Sequence, residues 1–398
     1  MTVPPGDRHV TVVTPWYPTQ MFPFRGAFVQ TMVEATAPGC DSMTIMHCDR
    51  WSARVSDAED AAINRAHLAL LPRMKRASST VGGATLNFLP VPMPVGGDFA
   101  FVAKRHADTL HATFAGAPID AAVVHVHEAL PSGWAVLEHL RPETKLFVTE
   151  HASFLEQLLD EPEAREMYDK VLDRCEGLFV VGDGTRDVLL KALPRHAEKV
   201  SLVANPISFT QPRPEPVTAL RRWLFLGGLI PRKGVNWLLE AFAKCHAEDP
   251  ALTLTIVGDG ELGGELRERA EALGVQDVVT FAGSVGPEVA LQLMREHDLL
   301  VHASRWESFG VTVVEAVAAG MPVLVTRCGG PEETLAGIEE AAGELVAVQE
   351  DDASLVEGYR RLRDRFPQGL DLGKAQRVLD ERYGYPAVAK MHHRVWFE

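Results

Sequence analysis

The 398-residue sequence lacks several features that would mark whole classes of function. It has no CxxC pair: Cys40, Cys48, Cys175, Cys245 and Cys328 are scattered singly, which argues against a zinc site or a disulfide framework and fits a reducing compartment. It has no excess of basic charge. A formal net charge of −15 disfavours broad contact with nucleic acid or anionic lipid, though it says nothing about a small anionic substrate held by a few local donors. No apolar run approaches the roughly 20 residues that span a bilayer as a helix. Nor does a basic N-terminal region lead into an apolar stretch, as in a signal peptide. A cytoplasmic protein without integral membrane association is therefore expected. D-x-D triplets and His/carboxylate clusters with ligand spacing are absent too, so no metal is expected.

What is present fits a soluble enzyme. Hydrophobic residues make up 46% and charged residues 23% of the chain, and the length favours two domains over one core. In the first half, His9–Thr14 reads as a strand and Ala27–Ala37 as a helix. Ala121–His125, Leu146–Thr149, Leu178–Val181 and Val200–Ala204 read as further strands. Residues 49–97 are ambiguous between a strand pair and a long excursion. Four prolines within 205–216 suggest an extended linker. The alternation then restarts with strands at Trp223–Leu226, Leu252–Val257, Val278–Phe281, Leu299–His302 and Pro322–Thr326, the last of the series. Helices at Val235–Ala247, Glu261–Leu273, Pro287–Glu296 and Val311–Ala319 intervene. An α/β architecture follows: two Rossmann-like, doubly wound domains at 1–205 and 217–382, joined by 206–216 and facing each other across an interdomain cleft. Residues 383–398 form an aromatic-rich helical stretch.

The most informative segment is Ser304-Arg305-Trp306-Glu307-Ser308-Phe309-Gly310-Val311-Thr312-Val313-Val314-Glu315. A strand ends just before it and a helix starts near Val311. Ser308 can cap that helix, and the N–H groups of Phe309, Gly310 and Val311 can point at an anion such as a diphosphate. Glu307 and Glu315 can then hydrogen-bond separated parts of one elongated ligand. Lys233, with Arg232 beside it, follows a glycine-bearing strand-to-helix turn and can neutralise a diphosphate leaving group.

Six pieces recur in order: Gly227…Lys233-Gly234, Ile256-Val257-Gly258-Asp259-Gly260, Phe281-Ala282-Gly283, His302…Ser304, Glu307…Glu315 and Gly329-Gly330…Glu332. Together they resemble the retaining family-4 glycosyltransferases, which have the GT-B fold. The resemblance implies that Glu307 binds hydroxyls of the donor sugar and Glu315 the ribose. It implies also that the final helix crosses back to the first domain, and that Gly26 lies near the donor phosphates. Gly228 is a departure, because an arginine commonly follows the first glycine in such enzymes. Gly258-Asp259-Gly260-Glu261-Leu262-Gly263 formally matches a dinucleotide fingerprint, but no acidic residue ends the next strand, so Gly258 and Gly260 are expected to line the nucleotide site instead. Glu332 is open between a sugar contact and a helix-start carboxylate.

In the first half, Trp16, Tyr17, Phe22 and Phe24 crowd one loop and offer an acceptor platform, although Trp16 and Phe22 could equally pack the loop down. His151, beyond a strand end, matches a position where similar enzymes often carry a histidine close to the reacting sugar. His127 is a second candidate, at the acceptor. The expected chemistry is retaining transfer of a hexose from a nucleotide sugar, such as UDP-glucose or GDP-mannose, to a hydroxyl of a small-molecule or glycan acceptor. An Ala-, Val- and Arg-rich composition adds a hint of antibiotic biosynthesis. The rivals are an epimerase or glycan phosphorylase of the same fold, or a non-catalytic carbohydrate-binding homologue.

Overall fold

A computed structural model describes residues 3, 4, 6–74 and 78–398. The chain divides into two compact units. One comprises Met1–Thr19, Arg25–Ala204 and Val388–Glu398; the other comprises Gln20–Phe24 and Asn205–Ala387.

The first unit is built on eight strands: β1 (His9–Thr14), β2 (Ser42–Ala53), β3 (Ser78–Val81), β4 (Ala84–Pro94), β5 (Val123–His127), β6 (Lys145–Glu150), β7 (Gly177–Val180) and β8 (Val200–Leu202). They lie in the order β3-β4-β2-β1-β5-β6-β7-β8. All pairings are parallel except β3 with β4. Every residue of β5 is buried, as expected where helices cover both faces of a parallel sheet.

Two sequence expectations shift here. The strand expected at Ala121–His125 runs Val123–His127, which makes His127 its last residue. The ambiguous segment 49–97 resolves into the end of β2, a helix at Asp57–Leu70 and the β3/β4 hairpin, with Lys75–Ala77 outside the described residues. Ser56 and Glu59 form a reciprocal capping box that fixes where this helix starts.

The helix Tyr385–Phe397 contributes Val388, Trp396 and Phe397 to the core of this unit, against Val10, Val12 and Phe147. Its polar groups are placed as well. Trp396 Nε1 donates to His125 Nδ1 at 3.1 Å, and Lys145 Nζ donates to the Trp396 carbonyl at 3.2 Å.

The second unit holds β9 (Arg222–Leu226), β10 (Thr253–Val257), β11 (Val279–Gly283), β12 (Leu299–His302), β13 (Val323–Thr326) and β14 (Gly343–Val346). These are ordered β11-β10-β9-β12-β13-β14, all parallel. The sheet therefore continues past the strand at 322–326, which the sequence reading took as the last. The proline-rich stretch is also packed rather than free. Ile207 is buried and its N–H donates to the Tyr383 carbonyl, while Arg213 Nη1 donates to the His297 carbonyl at 2.8 Å. These bonds tie it to the second unit.

Candidate functional site

In the second unit the site is assembled at the C-terminal ends of β9, β10, β12 and β13, where a parallel sheet leaves strand-end loops free to bind ligands. Two of these loops lie in close contact: Leu229 N–H donates to the Asp259 carbonyl at 2.9 Å, and Leu262 N–H to the Leu229 carbonyl at 3.0 Å. A side chain at Gly258 would start 1.9 Å from the Gly227 carbonyl oxygen, so this glycine is required for loop packing. Gly260 approaches Leu229 in the same way. Gly228 is different: the nearest neighbour of an added Cβ would be 3.9 Å away, so a side chain could start there.

Lys233 and Glu307 lie 74 residues apart in sequence and meet as an ion pair, Nζ to Oε1 at 2.5 Å. Arg232 stands 3.5 Å from the other carboxylate oxygen and also donates to the Trp306 carbonyl. His302 Nε2 lies 3.4 Å from Glu307 Oε1 and 3.3 Å from Ser304 Oγ. Burial opposes ionisation of Glu307. The hydrogen bond from His302 and the charges of Lys233, His302 and Arg232 outweigh it and hold the carboxyl well below the usual range. The sequence flagged Glu307, Lys233 and Arg232; it quoted His302 in a motif without giving it a role.

The loop after Glu307 is pinned to the loop beyond β13. Glu307 N–H donates to the Cys328 carbonyl at 2.8 Å, and Gly330 N–H to the Glu307 carbonyl at 2.9 Å. Here the expected cap fails. The N-cap of the helix Val311–Ala318 is Gly310, at φ 82°, and no side chain caps it, so Ser308 does not play that part. A left-handed N-cap two residues further on replaces the serine. Phe309 is buried and packs edge-on against Tyr383 at 5.1 Å. The N–H groups of Phe309, Gly310, Val311 and Thr312 have no hydrogen-bond partner among the described residues. They form a row of donors at a helix start, a ready anion site.

Glu315 lies one turn into that helix, half-buried and without a partner among the described residues. Desolvation pushes its carboxyl up to about 7. Glu332 takes the bland option: Oε2 accepts the Gly329 N–H at 3.2 Å, and Arg327 stands 3.8 Å away, so it closes the start of its own short helix.

In the first unit the structure brings His127 and His151 together. His127 Nδ1 and His151 Nε2 are 2.9 Å apart, their rings stack at 5.1 Å, and Phe28 lies 4.2 Å from His151. Burial pushes His151 down to about 3 and His127 well below the usual range, so both are neutral at pH 7. Whichever ring donates, His127 Nε2 has no partner among the described residues. His125, on the same strand face, is fixed in one tautomer. Its Nδ1 accepts from Trp396, so its proton sits on Nε2 and is donated to Thr149 Oγ1 at 2.8 Å.

Two buried acids that the sequence did not single out lie next to this pair. Glu128 follows β5 with φ 70°, a rare conformation outside glycine, and Glu150 ends β6. Glu150 accepts from Ala152 N–H and from Tyr168 OH, each at 2.8 Å. A carboxylate directly after His127 at a strand end was the available signal.

The aromatic loop does not behave as one platform. Tyr17 is buried in the core of the first unit and Trp16 is half-buried, whereas Phe22 and Phe24 are exposed and group with the second unit. Gly26 is needed locally: φ is 73°, and a side chain there would start 2.4 Å from the Trp16 carbonyl carbon. The backbone of this loop therefore accounts for the residue.

Among the described residues no group of three or more His, Cys, Asp or Glu side chains could hold a metal ion. All five cysteines are free thiols, and no helix among the described residues is long and apolar enough to cross a membrane.

The family model described as "Glycosyl transferases group 1" matches residues 213–376, and that described as "Glycosyltransferase Family 4" matches residues 71–211. Mannosylfructose-phosphate synthase of Agrobacterium fabrum is 36% identical over 27% of this chain and 25% of its own length. D-inositol 3-phosphate glycosyltransferase 2 of Catenulispora acidiphila is 30% identical over 58% of each chain. The chain thus spans between a quarter and somewhat over half of these relatives. Among solved structures, sucrose-phosphate synthase of Thermosynechococcus elongatus has a TM-score of 0.72 at 17% identity, with 98% of each chain covered. HepE of Anabaena, solved in complex with UDP, has a TM-score of 0.67 at 17% identity, covering 98% of this chain and 99% of that one. With both family models matched in tandem and the fold shared over nearly its full length, the chain belongs to the family-4 glycosyltransferases, enzymes of the GT-B fold.

Proposed function

We propose that this protein transfers a hexose from a nucleoside diphosphate sugar to a hydroxyl of a small-molecule acceptor, with retention at the anomeric carbon. The observation that carries the reading is the Lys233–Glu307–His302 cluster, together with Arg232, beside the unpartnered N–H groups of Phe309–Thr312. A diphosphate competes with Glu307 for Lys233 and adds the helix-start donors. Glu307, released from the lysine, then accepts from hydroxyls of the sugar. Glu315 accepts from the ribose. Lys233 and Arg232 stabilise the charge that develops on the diphosphate as the bond to the anomeric carbon breaks. The acceptor oxygen bonds to that carbon from the same side, and its proton goes to the departing diphosphate oxygen. With Glu307 held among cations as a binding group, no covalent intermediate is invoked.

In this scheme charge stabilisation comes from the protein, so activity is expected to survive chelation by EDTA. The neutral His127–His151 pair supplies hydrogen bonds to substrate without adding charge. A cytoplasmic location and a role in natural-product glycosylation belong to the same proposal, supported by composition.

The test is thermal stabilisation by UDP-, GDP-, ADP- and dTDP-sugars, with NAD and NADP alongside. UDP comes first because HepE was solved with it. A ligand at about 100 times its Kd adds roughly 2.7 kcal/mol. A shift with one nucleotide sugar, lost in Lys233→Ala and Glu315→Ala, supports the reading. A shift only with NAD or NADP overturns it.

A further inference from the structure

The first unit contains a recess of about 120 Å³ that the donor chemistry does not use. Its walls are Trp16, Phe99, Val102, Leu130, Pro131 and Phe154, with Phe99 and Phe154 stacked at 5.4 Å and 11°. Only a few polar side chains reach it. Glu128 is 3% exposed, lines the recess with Trp16, and holds φ 70°. His106 is 1% exposed, and neither ring nitrogen has a partner among the described residues. Arg50 lies at the exposed edge.

Backbone strain at a non-glycine residue, next to a buried imidazole with both nitrogens unpaired, marks a site shaped for a ligand. Its size is slightly below that of the roughly 150 Å³ apolar cavity known to take benzene, so a single ring fits. Its polarity narrows the choice. A sugar or cyclitol ring would press most of its hydroxyls against aromatic and proline surface with nothing to receive them. An anionic ring would meet the Glu128 carboxyl at the buried end. Glu150 already has several donors and Glu128 has few. Burial and the neighbouring Glu150 push the Glu128 carboxyl well above the usual range, so it can donate as well as accept.

We propose that this recess seats one apolar six-membered ring carrying a hydroxyl, as in a phenol, with the hydroxyl against Glu128 and His106. Resting on the transferase reading above, the ring is part of the acceptor, which is then an aromatic or alicyclic alcohol rather than a polyol phosphate.

The test is saturation-transfer NMR on the full chain with 4-methylphenol, toluene and myo-inositol, without nucleotide. Wild-type protein is expected to saturate 4-methylphenol about tenfold more than toluene, and myo-inositol not at all. Val102→Phe, which fills the recess, should abolish the 4-methylphenol signal. Glu128→Leu should erase the preference over toluene while retaining ring binding. A melting shift with UDP, read on each variant, checks folding independently of the recess. Equal 4-methylphenol signals in wild type and Val102→Phe would overturn the proposal, as would saturation of myo-inositol in place of the phenol. Phenol binding without any nucleotide shift would sink the transferase reading and leave the recess standing; a nucleotide shift without phenol binding would do the reverse.

Discussion

The two units solve the problem of buried polar chemistry in opposite ways. Around Glu307 the second unit gathers opposite charges: Lys233 at 2.5 Å, Arg232 at 3.5 Å and His302 at 3.4 Å. Around His151 the first unit removes charge: imidazoles are kept neutral by burial, and two carboxyls are pushed upward together. A charged cluster suits an anionic ligand that brings its own charge to exchange. Neutral, dehydrated groups suit hydroxyls, which gain directional bonds without a counter-ion. Under the proposed function, the charged cluster of the second unit serves the leaving diphosphate, and the neutral groups of the first unit are suited to the acceptor hydroxyl.

Glu307→Ala breaks the contrast most severely. It leaves Lys233 and Arg232 unbalanced and removes the proposed sugar contact, and kcat/KM is expected to fall roughly a thousandfold. Steady-state rates with saturating acceptor would show it. Lys233→Ala should cost on the order of a hundredfold, mainly in kcat, because the lysine acts most strongly on charge developing in the transition state.

How far these effects could be anticipated differs by level. Helix Val311–Ala318 and strand Leu299–His302 were legible almost to the residue, because β-branched runs between turns read plainly. β14 was not: Gly-Glu-Leu-Val opens on a glycine and carries a glutamate, which break up the apolar run. Motif spacing exposed Glu307, Glu315 and Lys233, but not that Lys233 and Glu307 neutralise each other, since that contact exists only after β9 and β12 pair. Glu128 was hidden for another reason. Its meaning lies in a backbone angle and in the company of Trp16, and neither leaves a local pattern. Adjacency in sequence suggested one aromatic platform, but did not reveal that the loop divides between the units.

Smaller effects sharpen the comparison through pH. The Glu315 carboxyl rises from the 4.5 of an unfolded glutamate to about 7 in the fold. The folded state thus binds the proton more tightly, and stability falls as pH climbs from 4.5 through 7. Glu315→Gln should melt above wild type at pH 8, by the equivalent of no more than about 3 kcal/mol. No such gain is expected at pH 4, and nucleotide-sugar affinity should drop. The first unit should respond with the opposite slope. His151 falls from 6.5 to about 3, so stability is full above 6.5 and is lost as pH falls through that window. Denaturant melts of His151→Asn between pH 7 and 4 should give a flatter profile than wild type. The smallest change expected is a gain. A notional Cβ at Gly228 meets nothing closer than 3.9 Å, and Gly228→Arg should strengthen nucleotide-sugar binding severalfold by calorimetry, adding a phosphate donor.

The helix Tyr385–Phe397 sets the order in which the molecule can be completed. Trp396 and Phe397 fill the core against Val10 and Val12, and the Trp396 indole fixes the tautomer of His125. During synthesis the ribosome delivers β1 almost four hundred residues before the side chains that seal it. The core of the first unit can therefore be sealed only after residues 388–397 have been made.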